Sequence, residues 1–409
     1  MSADARARVA TSGAFAAQGF ALMLLLTNLG SVQDRYGVDD DTISYAILGV
    51  LLAAALGTWI ADRVARSRGG SRAALAAGLA LIALFVPLIA LAPTFALGVA
   101  SFALYGVALG MVDAASNMQA VAVQRAYGRP LLSSFYAAWS AGGIAAALLS
   151  AVDGNRLAIE PVTLIFLAAT PVALVAAALV SRDGRRSHDA APVAVDDTPG
   201  SHVPWRSVGV LAIAVIAYFA IDNGTQSWST TYLEKTLDSA SWMAPLGAAA
   251  YLGTTLASRL VGDASVRRWG RVRVVRAAAL VGAGGFLVVV AAPVAFVAVI
   301  GFAIAGAGLG LVAPLCFATA GVLAPDHADA VVARLNVFNY VGTLLGAVLL
   351  PLIGTATSYR VAFTLPLVLA LVIAAVAGGF AGRRTTSTDA SDPASDPAPD
   401  PAPRKEIPA

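Results

Sequence analysis

Long apolar runs recur along the whole length of this 409-residue chain, and they restrict its fold more than any other feature. Each run is long enough to cross a hydrocarbon core about 30 Å thick as one helix, which takes roughly 20 residues. Only 12% of the residues are charged, whereas a typical soluble domain has roughly 25%. Because so few charges could not cover a water-facing surface of this size, the sequence predicts an all-α integral membrane protein.

The apolar runs and the polar breaks between them predict twelve membrane-spanning helices, which we number as spans 1 to 12. The first run is too long for a signal peptide and lacks its cleavage site, so we expect it to remain in the protein. Small residues four positions apart in several spans are typical of helices that pack closely in lipid. The predicted ranges are 9–31, 43–64, 73–92, 94–121, 131–151, 161–181, 207–232, 242–263, 273–292, 294–321, 331–354 and 361–382.

Basic residues are concentrated on one side of this predicted bundle. If the N-terminus is inside, the outer loops hold four of the 27 basic residues and Arg259 lies within a span, which leaves 22 on the inner side. Lysine and arginine are enriched in cytoplasmic loops. We therefore predict a multi-pass protein of the bacterial inner (plasma) membrane with both termini in the cytoplasm.

The longest polar stretch between apolar runs separates six spans from six. We predict an N-terminal half at 1–181, a cytoplasmic linker at 182–206, a C-terminal half at 207–382 and a cytoplasmic tail at 383–409. The tail repeats Asp-Pro-Ala and cannot bury apolar area, so we expect it to be disordered.

The two halves repeat a sequence pattern at a nearly fixed offset. Gly106 and Gly110 of span 4 recur as Gly306 and Gly310 of span 10. The polar matches after spans 2 and 8 are Asp62, Arg66, Gly69 and Arg72 with Asp263, Arg267, Gly270 and Arg273. Two parallel six-helix halves, related by an axis along the membrane normal, are the architecture of major facilitator transporters.

The repeated acids and arginines are candidate gating residues at the inner ends of spans 2 and 8. Asp62 stands four residues before Arg66, and Asp263 stands four residues before Arg267. Each acid could pair across the seam between the halves and so favour an outward-facing state. The alternative is a set of solvated charges that only fix topology, since an exposed ion pair contributes about 0–1 kcal/mol.

Three ionisable residues fall within predicted spans, where each costs roughly 2.5–3.5 kcal/mol on insertion scales. They are Asp113 in span 4, Asp222 in span 7 and Arg259 in span 8. Asp113 shares one helix face with two glycines and Asn117, which indicates close helix packing beside a polar cavity. Desolvation there favours the protonated acid, so we predict that Asp113 couples transport to protons. The alternative is a structural acid that is hydrogen-bonded to a neighbouring helix.

Span 7 carries an aromatic, acidic and amide stripe of the kind that holds sugars and other polar organic ligands. Tyr218, Asp222 and Gln226 are four residues apart on one face. Asp222 lies near mid-span, the depth at which such transporters bind substrate, so we predict both proton-coupling and substrate contact for it. Arg259 could pair with an intramembrane acid or extend toward the inner surface. The other predicted substrate-binding residues are Asn117, Tyr136, Trp139, Asn223, Trp228, Asn336, Asn339 and Tyr340.

The segment Asp113-Ala-Ala-Ser-Asn117 resembles span 4 of the fucose permease-like branch of the major facilitator superfamily, which has an acid, three small residues and Asn. Asp222, Trp228 and Tyr232 of span 7 also fit related sequences. The resemblance covers nearly all of 9–382. It implies a major facilitator fold and a proton-coupling role for Asp113.

Two features depart from known branches of that superfamily. Span 1 has Gln18 and Asn28 where the fucose symporter has an intramembrane Asp. Span 4 lacks the intramembrane Arg that is usual in drug/proton antiporters, which makes drug antiport a weaker interpretation.

We therefore predict a proton-coupled secondary transporter that moves a small polar organic solute by alternating access. Proton-coupled efflux of a drug-like compound or a secreted metabolite is the alternative, and a non-transporting membrane sensor lies outside both. A sensor would need a folded output domain, for which the linker and tail are too short and too polar.

The expected partners are the solute, protons and the lipid bilayer, and we expect the chain to act as a monomer. No nucleic acid is expected, because the basic residues border the apolar runs instead of forming one face. No enzymatic activity, metal or cofactor is expected. The expected energy source is the proton gradient. The sequence has no phosphate-binding Gly-x4-Gly-Lys-Ser/Thr loop, one cysteine and three scattered histidines.

Overall fold

The computed structural model describes residues 2–38, 40–150, 161–185 and 205–381, and the elements that it assigns there are helical. The predicted tail and most of the predicted linker lie outside the described residues, so the proposed domain bounds stay predictions. The first seven helices are α1 (Ala3–Thr27), α2 (Leu29–Tyr36), α3 (Asp40–Ala65), α4 (Gly70–Leu91), α5 (Phe95–Tyr127), α6 (Leu132–Ser150) and α7 (Pro161–Asp183).

The second half contains eight helices and two short 3-10 turns. The helices are α8 (Trp205–Leu237), α9 (Leu246–Trp269), α10 (Arg271–Ala291), α11 (Ala295–Leu309), α12 (Val312–Leu323), α13 (Ala328–Ala356), α14 (Tyr359–Ala362) and α15 (Thr364–Val376). The turns are Pro325–His327 and Ala377–Phe380.

Ten helical segments of the described chain are long and apolar enough to cross a membrane, counting α11 with α12 and α14 with α15 as single spans. Two further helices are also long enough to cross a membrane: α7 has 23 residues and α9 has 24. Helix α9 is less apolar because it carries Arg259 and Asp263 within its length and two arginines near its end. The predicted all-α membrane fold is confirmed, and with these two helices the number of long helical segments equals the predicted twelve.

The structure differs from the predicted spans in three places. The predicted first outer loop contains α2, which ends at Gly37 in the left-handed conformation (φ 61°). Helix α1 begins earlier than predicted, because the side chain of Ser2 accepts a hydrogen bond from the N–H of Ala5 at 3.2 Å and caps it. Span 10 is divided at Gly310, four residues before Pro314. Proline has no N–H to donate to that carbonyl, so the helical ladder breaks there.

Helix pairs of the first half recur in the second half through closely packed glycines. A Cβ atom added to Gly142 of α6 would lie 2.0 Å from the carbonyl oxygen of Ala16 in α1. A Cβ atom added to Gly342 of α13 would lie 2.5 Å from the carbonyl oxygen of Ile216 in α8. The pair α3/α5 recurs likewise as α9/α11, where Gly306 meets the backbone of Tyr251. Such contacts require residues without a side chain.

The two halves meet on one side of the bundle. We call the side that holds the end of α3 (Ala65) and the end of α9 (Trp269) the inner side; the arginine bias predicts that it faces the cytoplasm. There, Asp263 and Arg125 each bond to the opposite half. On the outer side, the described contacts remain within one half: Asn28 with Ser150, Tyr36 with Ala92, Tyr232 with Val289, and Trp228 with Tyr359. The bundle is therefore closed on the inner side, as an outward-facing transporter would be.

Candidate functional site

Asp113 lies half-buried near the middle of α5 and accepts hydrogen bonds from both halves of the molecule. One donor is the side-chain amide of Gln18 in α1, and the other is the phenol of Tyr340 in α13. The Asn117 side chain donates to the backbone carbonyl of Asp113 at 3.0 Å and accepts from the Tyr136 hydroxyl at 3.0 Å. The predicted residues of spans 4, 5 and 11 thus form one polar cluster around a single carboxylate.

Asp222 occupies the matching depth in α8 and accepts three side-chain hydrogen bonds. The donors are Gln226 Nε2 at 2.7 Å, the Tyr251 hydroxyl at 3.0 Å and the Tyr218 hydroxyl at 3.3 Å. Tyr218 and Gln226 lie one turn before and one turn after the acid, as the stripe predicts, while Tyr251 comes from α9. Asp222 is half-buried. Its carboxylate is therefore partly accessible while it accepts these three hydrogen bonds.

Arg259 of α9 is 5% exposed and joins both halves. Its Nε donates to the Gly310 carbonyl at 3.2 Å, the carbonyl that Pro314 leaves without a helical partner. Its two terminal nitrogens donate to the Ser140 hydroxyl at 2.6 Å and the Tyr218 hydroxyl at 3.0 Å. Within the described residues Arg259 forms no ion pair and does not extend to the inner surface, so neither predicted arrangement is present.

A row of polar and aromatic contacts connects the backbone carbonyl of Asp113 with the carboxylate of Asp222. From Asp113 it passes through Asn117 to Tyr136, whose ring centroid lies 5.4 Å from the guanidinium carbon of Arg259. Arg259 then donates to Tyr218, which donates to Asp222. Trp139 adds a second aromatic ring 6.0 Å from the same guanidinium. The row therefore crosses from the first half to the second at Arg259.

The other predicted substrate residues lie around this row rather than in it. Asn336 donates to Thr58 across the seam between the halves at 3.0 Å, and Asn339 accepts from Thr343 at 3.3 Å. Trp228 stacks on Tyr359 with ring centroids 6.0 Å apart, farther toward the outer side. The Trp228 Nε1 and Asn223 Oδ1 atoms are buried and have no hydrogen-bond partner in the described part of the chain.

Three residues that contact the candidate site were not predicted from the sequence. Tyr251 lies eight residues before Arg259 on one face of α9, so the helical spacing in span 8 could have indicated it. Ser140 and Thr58 carry no such signal, since a single hydroxyl within an apolar helix commonly bonds its own backbone. Gln18, a weak candidate in span 1, contacts Asp113 directly.

The predicted gating residues form two different arrangements. Asp263 is buried at the inner end of α9 and accepts from the backbone N–H groups of Ser133 and Ser134 at the start of α6, both at 3.0 Å. It thus crosses the seam, but it binds a helix N-terminus instead of an arginine. The free N–H groups and the dipole of that helix end favour a carboxylate.

The prediction of ion pairs across the seam is wrong for Asp62 and Arg66. They pair with each other at the inner end of α3, where Arg66 follows the last helical residue and is exposed. Arg267 is exposed and has no ion pair within the described residues. A second basic residue replaces it at the seam, since Arg125 of α5 donates to the carbonyls of Gly321 and Pro325, the former at the end of α12.

No cluster of three or more histidine, cysteine, aspartate or glutamate side chains that could hold a metal ion is present in the part of the chain that the structure describes. The site is built instead from two carboxylates, one guanidinium, amides and phenols. These are groups that bind polar organic molecules and exchange protons.

Comparisons with known proteins show which family and which folds the chain is similar to. The family model described as Major Facilitator Superfamily matches residues 233–407. An uncharacterised MFS-type transporter of Yersinia pestis is 28% identical over 357 residues, which cover 87% of this chain and 91% of that protein.

Two solved transporters have a similar fold. FucP, the E. coli fucose:proton symporter, in its outward conformation gives a TM-score of 0.77 at 15% identity, with 92% of this chain and 99% of FucP covered. The proton:xylose symporter XylE gives 0.72 at 12% identity, with 91% and 94% covered. The chain therefore has the fold of major facilitator transporters, and it matches the model of that superfamily over most of its second half.

Proposed function

We propose that this transporter moves a small polar organic solute together with protons, and that Asp113 is the main proton-coupling residue. The observation that carries the proposal is that Asp113, in the first half, accepts a hydrogen bond from Tyr340, in the second half. A hydrogen bond to a charged group contributes about 1.5–3 kcal/mol, compared with about 0.5–1.5 kcal/mol for a neutral pair. Protonation of Asp113 therefore weakens a bond that joins the halves, which links proton binding to their relative position.

The cluster around Asp222 is the proposed solute site. It offers acceptors and donors of both charges near mid-membrane, and the aromatic rings of Tyr136 and Trp139 provide flat apolar surfaces beside them. The unpaired Asn223 Oδ1 and Trp228 Nε1 are available to a bound hydroxyl or amine, because buried polar atoms are normally hydrogen-bonded. Asp222 is the proposed second proton-coupling residue. The sugar–proton symport of two structural neighbours supports solute/proton symport here.

The test is solute-induced pH change in proteoliposomes, with a panel of sugars, small organic acids and lipophilic cations. Symport acidifies the compartment that the solute enters, whereas antiport makes it more alkaline, so the sign of the signal separates uptake from efflux. Asp113→Asn should abolish the proton signal, and Glu234→Gln, which neutralises an exposed acid at the outer end of α8, should keep it. A proton signal of wild-type size in Asp113→Asn would refute the assignment and transfer it to Asp222.

A further inference from the structure

A cavity lies on the inner side of the bundle, away from the site just described. Its volume is about 540 Å³, and it is bounded by the α9–α10 connection and by Phe380 at the end of the last helix. Three arginines line it: Arg267, Arg271 and Arg273. No acidic residue lines it.

No acidic side chain among the described residues compensates the charge of these arginines. The sequence contains no acid between Asp263 and Asp326, and Asp263 is already bound to the α6 N-terminus. None of the three arginines forms an ion pair or a side-chain hydrogen bond within the described residues. In the equivalent segment of the first half, by contrast, Arg66 is paired with Asp62. The second-half segment therefore presents three arginines that can bind an anion.

The backbone adds donors to the same cavity wall. Helix α10 begins at Arg271 without a side-chain cap, after Gly270 in a positive-φ conformation (78°). The first N–H groups of a helix have no partner within it and attract anions. Cationic side chains and free N–H groups at one place match the geometry of a phosphate group.

The rest of the wall is apolar and lies where lipid is expected. Val266, Val272 and Phe380 line the cavity beside the arginines, and the exposed Trp269 stands at its edge. Tryptophan and arginine at the end of a membrane span mark the headgroup level of the bilayer. A small inorganic anion would leave this apolar wall unused, whereas a phospholipid covers both parts.

We propose that this cavity binds an anionic phospholipid from the leaflet on the inner side, with the headgroup phosphate on Arg267, Arg271 and Arg273. Basic pockets between membrane helices bind such headgroups in other proteins. The phosphate compensates the arginine charge, and the acyl chains lie against the apolar wall. The proposal does not depend on the nature of the transported solute.

The test is binding of short-chain phosphatidylglycerol to the purified full chain in detergent, with phosphatidylcholine of equal chain length as the neutral comparison. Replacing Arg267, Arg271 and Arg273 by Gln should weaken phosphatidylglycerol binding roughly 10- to 100-fold. The matched control replaces Arg63, Arg68 and Arg206, three exposed arginines on the same side, by Gln. It removes the same charge and should change the affinity less than about twofold.

Three results would overturn the proposal: equal loss of affinity in both triple variants, equal binding of phosphatidylcholine to the wild type, or displacement of the lipid by millimolar inorganic phosphate. The last result would identify a free-phosphate site. A photoactivatable phosphatidylglycerol on the wild-type protein gives a readout that needs no variant. Its crosslinks should map to 266–273, and crosslinks confined to other segments would contradict the assignment.

Discussion

At the scale of single residues, Arg259 is a side chain that forms hydrogen bonds with both halves of the molecule. It is almost fully buried, yet it has no carboxylate within hydrogen-bond reach among the described residues. Its charge is stabilised by one carbonyl, two hydroxyls and two aromatic rings. The planar fork of a guanidinium allows it to reach partners on three helices at once, which the point charge of lysine cannot do.

Arg259→Lys should therefore reduce transport by roughly tenfold or more while the protein still folds. The ammonium retains the charge but cannot donate to Gly310, Ser140 and Tyr218 together. The measurement is the solute-driven proton signal in proteoliposomes, with size-exclusion chromatography to show that the variant remains folded. Arg68→Lys, an exposed change of the same type, should transport at the wild-type rate. Full activity in Arg259→Lys would show that only the charge is needed.

At the scale of helices, the seam on the inner side is closed by two helix ends, each bound by a residue of the other half. Asp263 of the second half binds the first N–H groups of α6. Arg125 of the first half binds the carbonyl of Gly321 near the end of α12 and that of Pro325 in the turn that follows. Each charge has the sign that the adjacent helix dipole favours. Opening of the inner side must break both contacts.

Asp263→Asn should shift the protein toward states that are open on the inner side. Loss of a charged cap costs about 1–2 kcal/mol, which corresponds to roughly a 5–30-fold change in the ratio of states. The measurement is the labelling rate of a cysteine in place of Val121, a buried residue at the seam. Asp62→Asn should change that rate less, because Asp62 pairs with Arg66 at the end of its own helix. Equal rates in Asp263→Asn and the parent would exclude a gating role.

The helix pairs inside each half depend on glycine at fixed positions. A Cβ atom on Gly110 of α5 would lie 1.8 Å from the Ala54 carbonyl oxygen of α3. Gly110→Ala should therefore separate the two helices and destabilise the protein by about 1–3 kcal/mol. Gly253→Ala in α9 is the matched control, because nothing lies within 4 Å of that Cβ position. It should leave stability unchanged or raise it slightly. The melting temperatures of the two purified variants test this difference.

At the scale of the whole molecule, the sequence predicts the spans and the two acids within them, but not the contacts that close the seam. Asp113 and Asp222 are recognisable because a charge within an apolar span is rare. The partner of Asp263 is a pair of backbone N–H groups, which every residue carries, so no sequence pattern marks it. Tyr251 and Ser140 are ordinary residues in membrane helices, and only packing brings them to Asp222 and Arg259. Helix α2 was missed because its mixed composition resembles that of a loop.

The outward-facing arrangement makes a prediction that can be tested by crosslinking the halves. Val121 of α5 and Gly321 of α12 belong to opposite halves, and a Cβ atom on Gly321 would lie 3.4 Å from the Val121 Cβ atom. Disulfides join Cβ atoms about 3.5–4.5 Å apart. Cysteines at both positions should therefore form a disulfide that holds the inner side closed and stops transport.

The crosslink is best made in a Cys316→Ala background, because Cys316 is the only native cysteine and lies buried in α12. Oxidation should abolish the proton signal of the double variant, and a reducing agent should restore it. Each single cysteine variant should be indifferent to oxidant. If the oxidised double variant still transports, the halves need not separate at this point, and alternating access through the α5–α12 seam would be wrong. Loss of transport that reduction reverses would show that opening here is an obligatory step.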